Sequence, residues 1–246
     1  YAGLRAEAAR YQVSIVGGNI ATINRALVID ITLLGRVVAG KALLRSGARP
    51  GDRLCVTGHL GNAAAGLLTL SEPRSNWPRA LTRAVDRVQA AQLTPQARVA
   101  EGRALAASAT VTAMLDISDG LTADLYHLCE RSHVGANIVA SALPIEPTTQ
   151  TIARTYDRNA RDLALYGGDD YELLFTVPPA SEARALHAIR SVGGMASDIG
   201  WITDSPLDLR LCAEDGTSAT IVPHGWDHLR GGPPSQIFNS DASEGL

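Results

Sequence analysis

Lysine is almost missing from this chain: Lys41 stands alone among 22 basic residues, and arginine supplies the rest. Positive charge is not in surplus either, since 25 acidic residues give a formal net charge of −3 over 246 residues. That excludes the basic excess by which nucleic-acid-binding proteins meet phosphate backbones. Cysteine is scarce, and Cys55, Cys129 and Cys212 are odd in number, far apart and in no CxxC pair. A disulfide framework is therefore excluded, and the three read as buried thiols of a protein in a reducing cytoplasm. Long apolar runs are lacking as well. The longest, Ala26–Leu34, is broken by Asp30 and is too short to span a bilayer. The chain does not open on the basic flank, apolar run and small-residue cleavage site of a secretory signal. What is present is 46% hydrophobic and 19% charged, enough to bury a core in one large domain or two ordinary ones.

Apolar periodicity predicts a helix already under way over Tyr1–Gln12, a short strand at Val13–Val16 and a β-type run at Leu27–Val38. Turn residues at Ser46–Asp52 mark a domain boundary. A buried strand at Arg53–Thr57 leads through Gly58-His-Leu-Gly61 into a helix from Asn62 to Leu70. Helices are expected at Arg79–Leu93, Pro95–Ala107 (proline in its first turn), Ser118–Arg131, Thr148–Leu165 and Ser181–Val192. Strands are expected at Thr112–Ile117, Ala136–Ser141, Tyr171–Val177, Ala196–Ile202 and Leu207–Cys212. This alternation predicts a layered α/β or α+β fold.

Gly35-Arg-Val-Val-Ala-Gly-Lys-Ala42 imitates a P-loop, but Ala42 stands where Ser or Thr should reach Mg²⁺. Gly58–Gly61 is either an anion-binding helix start or a tight βα turn. Asp116-Ile-Ser-Asp-Gly120 ends a strand and opens a helix. Ser118 and Asp119 suit a cap, whereas capping leaves Asp116 unexplained, and two such carboxylates can share a hard cation. Gly167-Gly-Asp-Asp-Tyr-Glu-Leu173 is either a glycine turn with a solvated acidic edge or a site for a cationic ligand or metal. His224-Gly-Trp-Asp-His228 lacks zinc-site spacing, though Trp226 offers a flat aromatic face. No GxSxG elbow or Cys/His pairing suggests a nucleophile.

Taken in order, Ile15-Val-Gly-Gly-Asn19, Arg45-Ser-Gly-Ala-Arg-Pro-Gly-Asp52, Val56-Thr-Gly with Ala63-Ala-Ala-Gly66, Asp116–Leu121 with Asp124-Leu125, Gly167–Phe175 and Gly225-Trp-Asp-His228 resemble the thiamine-monophosphate kinases. These belong to the PurM-like superfamily, which also holds aminoimidazole ribonucleotide synthetase. The resemblance implies a two-domain PurM-like fold and Mg²⁺-assisted phosphoryl transfer from ATP to thiamine monophosphate in a cytoplasmic homodimer, without nucleic acid or membrane. It assigns metal to Asp116 and Asp119, ATP to Gly18, Asn19, Arg45 and Ser118, and the thiamine moiety to Asp169 and Trp226. No residue is assigned as a general base, because a phosphate acceptor is largely ionised at pH 7. A carboxylate beside an aromatic face suits a cationic thiazolium.

Two positions depart from the family pattern: Asn19 replaces a metal-binding Asp, and Asp169 replaces a more frequent Glu. The resemblance further implies acidic metal motifs upstream of Tyr1. Residues 1–49 are accordingly expected to be the remnant of an N-terminal ATP-binding domain, 50–230 the C-terminal α/β domain and 231–246 a disordered tail. Two alternatives stay open: another PurM-like ATP-dependent enzyme, of the type that cyclises a purine precursor, and, given Asn19 and the lacking acids, a non-catalytic binding or scaffold homologue.

Overall fold

A computed structural model describes residues 1–73 and 77–225, which fall into two compact units, Tyr1–Ala42 and the chain from Leu43 on. The first unit contains one helix, α1 (Ala2–Arg10), which buries no side chain. The strands expected at Val13–Val16 and Leu27–Val38 are not formed. Their side chains stand exposed, Val16 at 90% and Leu34 at 88%. Branched residues only favour a strand, which is made by a neighbour's N–H and C=O groups. The first unit has no second strand to supply them. Gly40 turns with φ +72 and no helix follows Lys41, so the P-loop imitation lacks the helix start that would cradle phosphate.

The second unit is a layered α/β structure. β1 (Arg53–Thr57), β2 (Ala113–Asp116), β3 (Gly135–Val139), β4 (Leu173–Val177), β5 (Ala196–Thr203), β6 (Leu209–Cys212) and β7 (Ser218–Thr220) form one sheet, in the order β2-β4-β1-β5-β3-β6-β7. Its pairings are antiparallel except for β3 with β6. The helices are α2 (Asn62–Ser71), α3 (Arg79–Leu93), α4 (Val99–Ser108), α5 (Leu121–Ser132), α6 (Pro147–Thr155), α7 (Ala160–Tyr166) and α8 (Glu182–Ser191).

Period-two alternation sends Leu54 and Val56 to one face of the sheet and Cys55 to the other. The first pair packs with Leu121, Leu125 and Leu128 of α5. Cys55 joins Phe175 and Val177 against Leu105 of α4 and Ala185 and Ile189 of α8. A third core joins α2, α3, α6 and α7 through Leu68, Val88, Ile152 and Leu163. Both faces of β1 are therefore covered, as its uninterrupted apolar run requires.

Several boundaries differ from the expectation. The helix foreseen over Thr148–Leu165 is two, because Asp157 turns left-handed (φ +52) and the Asn159 side chain accepts from the Arg161 N–H to start α7. Pro95 lies ahead of α4, which begins only after Arg98. α5 begins at Leu121 rather than Ser118, and Ser218–Thr220 is an edge strand with no apolar pattern to announce it. Register places the functional end of the sheet. Val56 faces Leu174 and Asp116 faces Leu173, so the carboxyl ends of β1 and β2 flank the start of β4. Loops 58–61, 117–120 and 167–172 meet there.

Candidate active site

Two of these loops are stitched together by backbone. Ile117 N–H donates to the Glu172 carbonyl, Tyr171 N–H to that of Ile117 and Asp169 N–H to that of Ser118, each at 2.8 Å. Gly168 lies so close to this loop that a Cβ would sit 2.7 Å from the Ser118 carbonyl oxygen. Gly120, with φ +126, makes the turn into α5. The capping reading of Ser118 and Asp119 is corrected here. The Oδ2 atom of Asp124 accepts from the amides of Ser118, Asp119 and Gly120 at 3.0, 3.0 and 3.2 Å. Two of those amides precede α5 and the third is its N-cap residue, so Asp124 ties the loop before the helix to the helix itself. The Asp116–Gly120 loop is thus held in one shape from inside α5. Burial and the nearby Asp119 push Asp124 up to about 6, against the three amides that favour its charged form.

The three acids of the neighbouring loop go separate ways. Asp170 accepts from the N–H groups of Gly61 at 2.7 Å and Ala63 at 3.3 Å. The anion at the Gly58–Gly61 turn is therefore this side chain, and of the two readings of that turn the tight βα connection holds. Burial above all pushes Asp170 up to about 7, with Glu172 and Asp169 adding to the rise. Glu172 is buried, takes the Thr57 hydroxyl at 2.6 Å, and forms a two-pronged pair with Arg98 at 2.7 and 2.5 Å. Asp169 alone is held by side-chain amide and phenol, from Gln92 at 3.0 Å and Tyr171 at 3.0 Å.

Tyr171 reports the field in this corner. Burial, the charge and hydrogen bond of Asp169, and the charges of Asp116 and Asp119 push its phenol up to about 12. Asp116, Asp119 and Asp169 therefore all act on the Tyr171 phenol from the two joined loops, and their charges favour a cation there. Among the described residues no three His, Cys, Asp or Glu side chains form a cage that could hold a metal alone. Asp116 and Asp119, on one strand-to-helix turn, still fit Mg²⁺, which takes one or two carboxylates and completes its shell with water and phosphate oxygens.

The other assigned residues are distributed more widely. Arg45 is exposed, and its carbonyl accepts from the Ser132 hydroxyl at 3.4 Å. Ser132 ends the twelve-residue helix whose other end follows Ser118. Gly18 and Asn19 belong to the first unit. Trp226, with Asp227 and His228, lies outside the described residues. The chain leading to Trp226 is described: the Thr122 hydroxyl donates to the His224 carbonyl at 2.8 Å, and a Cβ on Gly225 would meet the Asp119 carbonyl at 2.5 Å. Gln92 and Arg98 carry no sequence signal, because each meets its acid from far along the chain, Gln92 from α3 and Arg98 from the residue that precedes α4.

A model of the family described as "AIR synthase related protein, C-terminal domain" matches residues 49–211. The chain is 31% identical over 236 residues to the thiamine-monophosphate kinase of Bacillus subtilis (strain 168), covering 94% of this chain and 69% of that protein. The crystal structure of thiamine-monophosphate kinase from Stenotrophomonas maltophilia K279a is 35% identical with a TM-score of 0.65, over 74% of this chain and 56% of that one. AaThiL complexed with AMPPCP and TMP is 31% identical with a TM-score of 0.62, over 76% and 54%. The chain spans about two thirds of the length of the curated relatives it matches and little more than half of these solved structures.

Proposed function

The chain belongs to the thiamine-monophosphate kinase family, and from that premise we propose that the protein makes thiamine diphosphate from ATP and thiamine monophosphate. An oxygen of the acceptor's phosphate forms a bond to the γ-phosphorus of ATP as the bond to the bridging oxygen of ADP breaks. The backbone joining of the loop that carries Asp116 and Asp119 to the loop that carries Asp169 supports this reading, because the reaction joins two anions and one of its substrates bears a cationic ring.

Asp116 and Asp119 would hold Mg²⁺, which neutralises phosphate charge when bound. Asp124 keeps their loop in one shape through three amides, so the two carboxylates are presented without reorganisation. Ser118 lies between them, in reach of a phosphate gathered there. The family pattern further assigns ATP contacts to Arg45 and, in the first unit, to Gly18 and Asn19. Asp169 would face the thiazolium, with Trp226 on its ring face. The packing of Gly225 on Asp119 supports that role for Trp226. No side chain need remove a proton, since the acceptor phosphate is already largely ionised at pH 7. A homodimer in the cytoplasm completes the reading; among the described residues no helix is long and apolar enough to cross a membrane.

The test is ATP-dependent thiamine diphosphate formation by the full-length gene product in saturating Mg²⁺. Asp116→Asn and Asp119→Asn should each lower kcat/KM by about 100-fold or more at limiting Mg²⁺, with partial recovery as Mg²⁺ is raised. Thermal shift should respond to thiamine monophosphate and not to purine precursors. An inactive full-length protein, or stabilisation by a purine precursor alone, would overturn the reading.

A further inference from the structure

Asp169 is held unlike any other acid of its loop. Its Oδ2 accepts from Gln92 Nε2 and its Oδ1 from Tyr171 Oη, both at 3.0 Å. One donor comes from α3, 77 residues away, and the other from two residues on. Both donors are neutral, so each fixes an oxygen without cancelling the charge. The contrast lies next door, where Glu172 is neutralised by Arg98.

The backbone is arranged to make this geometry. Asp169 and Tyr171 both lie in the left-handed region, with φ +65 and +49, which side chains rarely adopt. Asp170 and Glu172 anchor the loop on α2 and β1 and keep it there. Tyr171 cannot ionise near neutral pH, so it stays a donor; its raised phenol follows from burial and from Asp169, Asp116 and Asp119. A carboxylate with both oxygens located and its full charge kept is what recognition of a cationic ring requires.

We infer that Gln92 and Tyr171 are positioning residues for the acceptor substrate: they orient Asp169 with its charge intact toward the cationic ring, which makes α3 a determinant of acceptor affinity. The inference rests on the kinase reading above and deepens it. Gln92 is the more informative of the two, because it stands on an element that contributes nothing else to the site.

The experiment uses the full-length gene product and reads the KM values for both substrates. Tyr171→Phe and Gln92→Leu should each raise KM for thiamine monophosphate about tenfold, the effect of one lost hydrogen bond to a charged group. KM for ATP and the thermal midpoint should stay near the unsubstituted values. Gln92→Arg separates positioning from mere support. Arginine still donates to Asp169 but cancels its charge, so acceptor KM should rise further than with leucine; recovery toward the unsubstituted KM would overturn the inference. A neutral deaza analogue of the acceptor should lose little affinity in any of the three variants. If the unsubstituted protein neither binds nor turns over thiamine monophosphate, the functional reading fails. If it does both and the variants keep acceptor KM within twofold, this inference alone fails.

Discussion

A carboxylate at a helix start is ordinarily drawn down by the amides it faces, yet Asp170 and Asp124 both move up, to about 7 and about 6. Desolvation is the larger effect in each, and neighbouring acids reinforce it. The consequence for stability has a definite sign. A folded-state value above the unfolded one means that the native protein holds the extra proton between the two, so stability falls as pH rises through that window. For Asp170 the window runs from its ordinary value of 3.8 to about 7. The chain should therefore be more resistant to urea at pH 5 than at pH 8, and Asp170→Asn should flatten that difference by at least about 1 kcal/mol. Urea titrations of both proteins at the two pH values check it, and parallel curves would remove Asp170 as the source. How these acids divide their tasks was not legible in Gly167–Leu173. Their partners Gly61, Thr57 and Arg98 lie 109, 115 and 74 residues away, and nothing local distinguishes an acid bound by an amide from one kept for a ligand. That Asp116, Asp119 and Asp169 sit at glycine turns was legible, because turn chemistry is local.

At the scale of elements, β1 and α3 have the bounds their patterns predict, one as a short strand buried from Leu54 to Thr57 and the other as a long amphipathic helix. Such patterns succeed when the element's own side chains carry the signal. They fail at Leu27–Val38, where residue preference is strong but pairing is decided by a neighbour, and at Thr148–Leu165, where a left-handed Asp157 divides a continuous period. Glycine spacing shows the same division. Gly66 reads as one more small residue after Ala63-Ala-Ala, but α2 crosses α3 so closely there that a Cβ would overlap the Val88 carbonyl, a backbone atom of α3. Gly66→Ala must push the helices apart and loosen Leu68 against Val88. A loss of about 1–3 kcal/mol is expected from such overpacking, even though alanine is the better helix former. Denaturant unfolding measures it, and an unchanged or raised midpoint would show that α2 and α3 separate without cost.

At the scale of the whole molecule, the cores and the first unit make opposite statements. Among the described residues every buried side chain lies between Ala48 and Ile221, and the three apolar cores draw on the second unit alone. The first unit buries nothing and exposes Leu27, Val28, Ile29, Ile31, Leu33 and Leu34 along one stretch. A contiguous apolar surface of that kind marks an interaction site or an aggregation hazard. The stability of the second unit should therefore be independent of residues 1–42, while the solution behaviour of the chain should depend on them strongly. A chain starting at Leu43 is expected to unfold cooperatively with a midpoint within about 2 °C of the 246-residue chain, since it holds all three cores. Static light scattering should show far less self-association for the shorter chain. Calorimetry settles the first point: a midpoint lowered by 5 °C or more would mean that residues 1–42 contribute to the cooperative core, and the division into two energetically separate units would have to be abandoned.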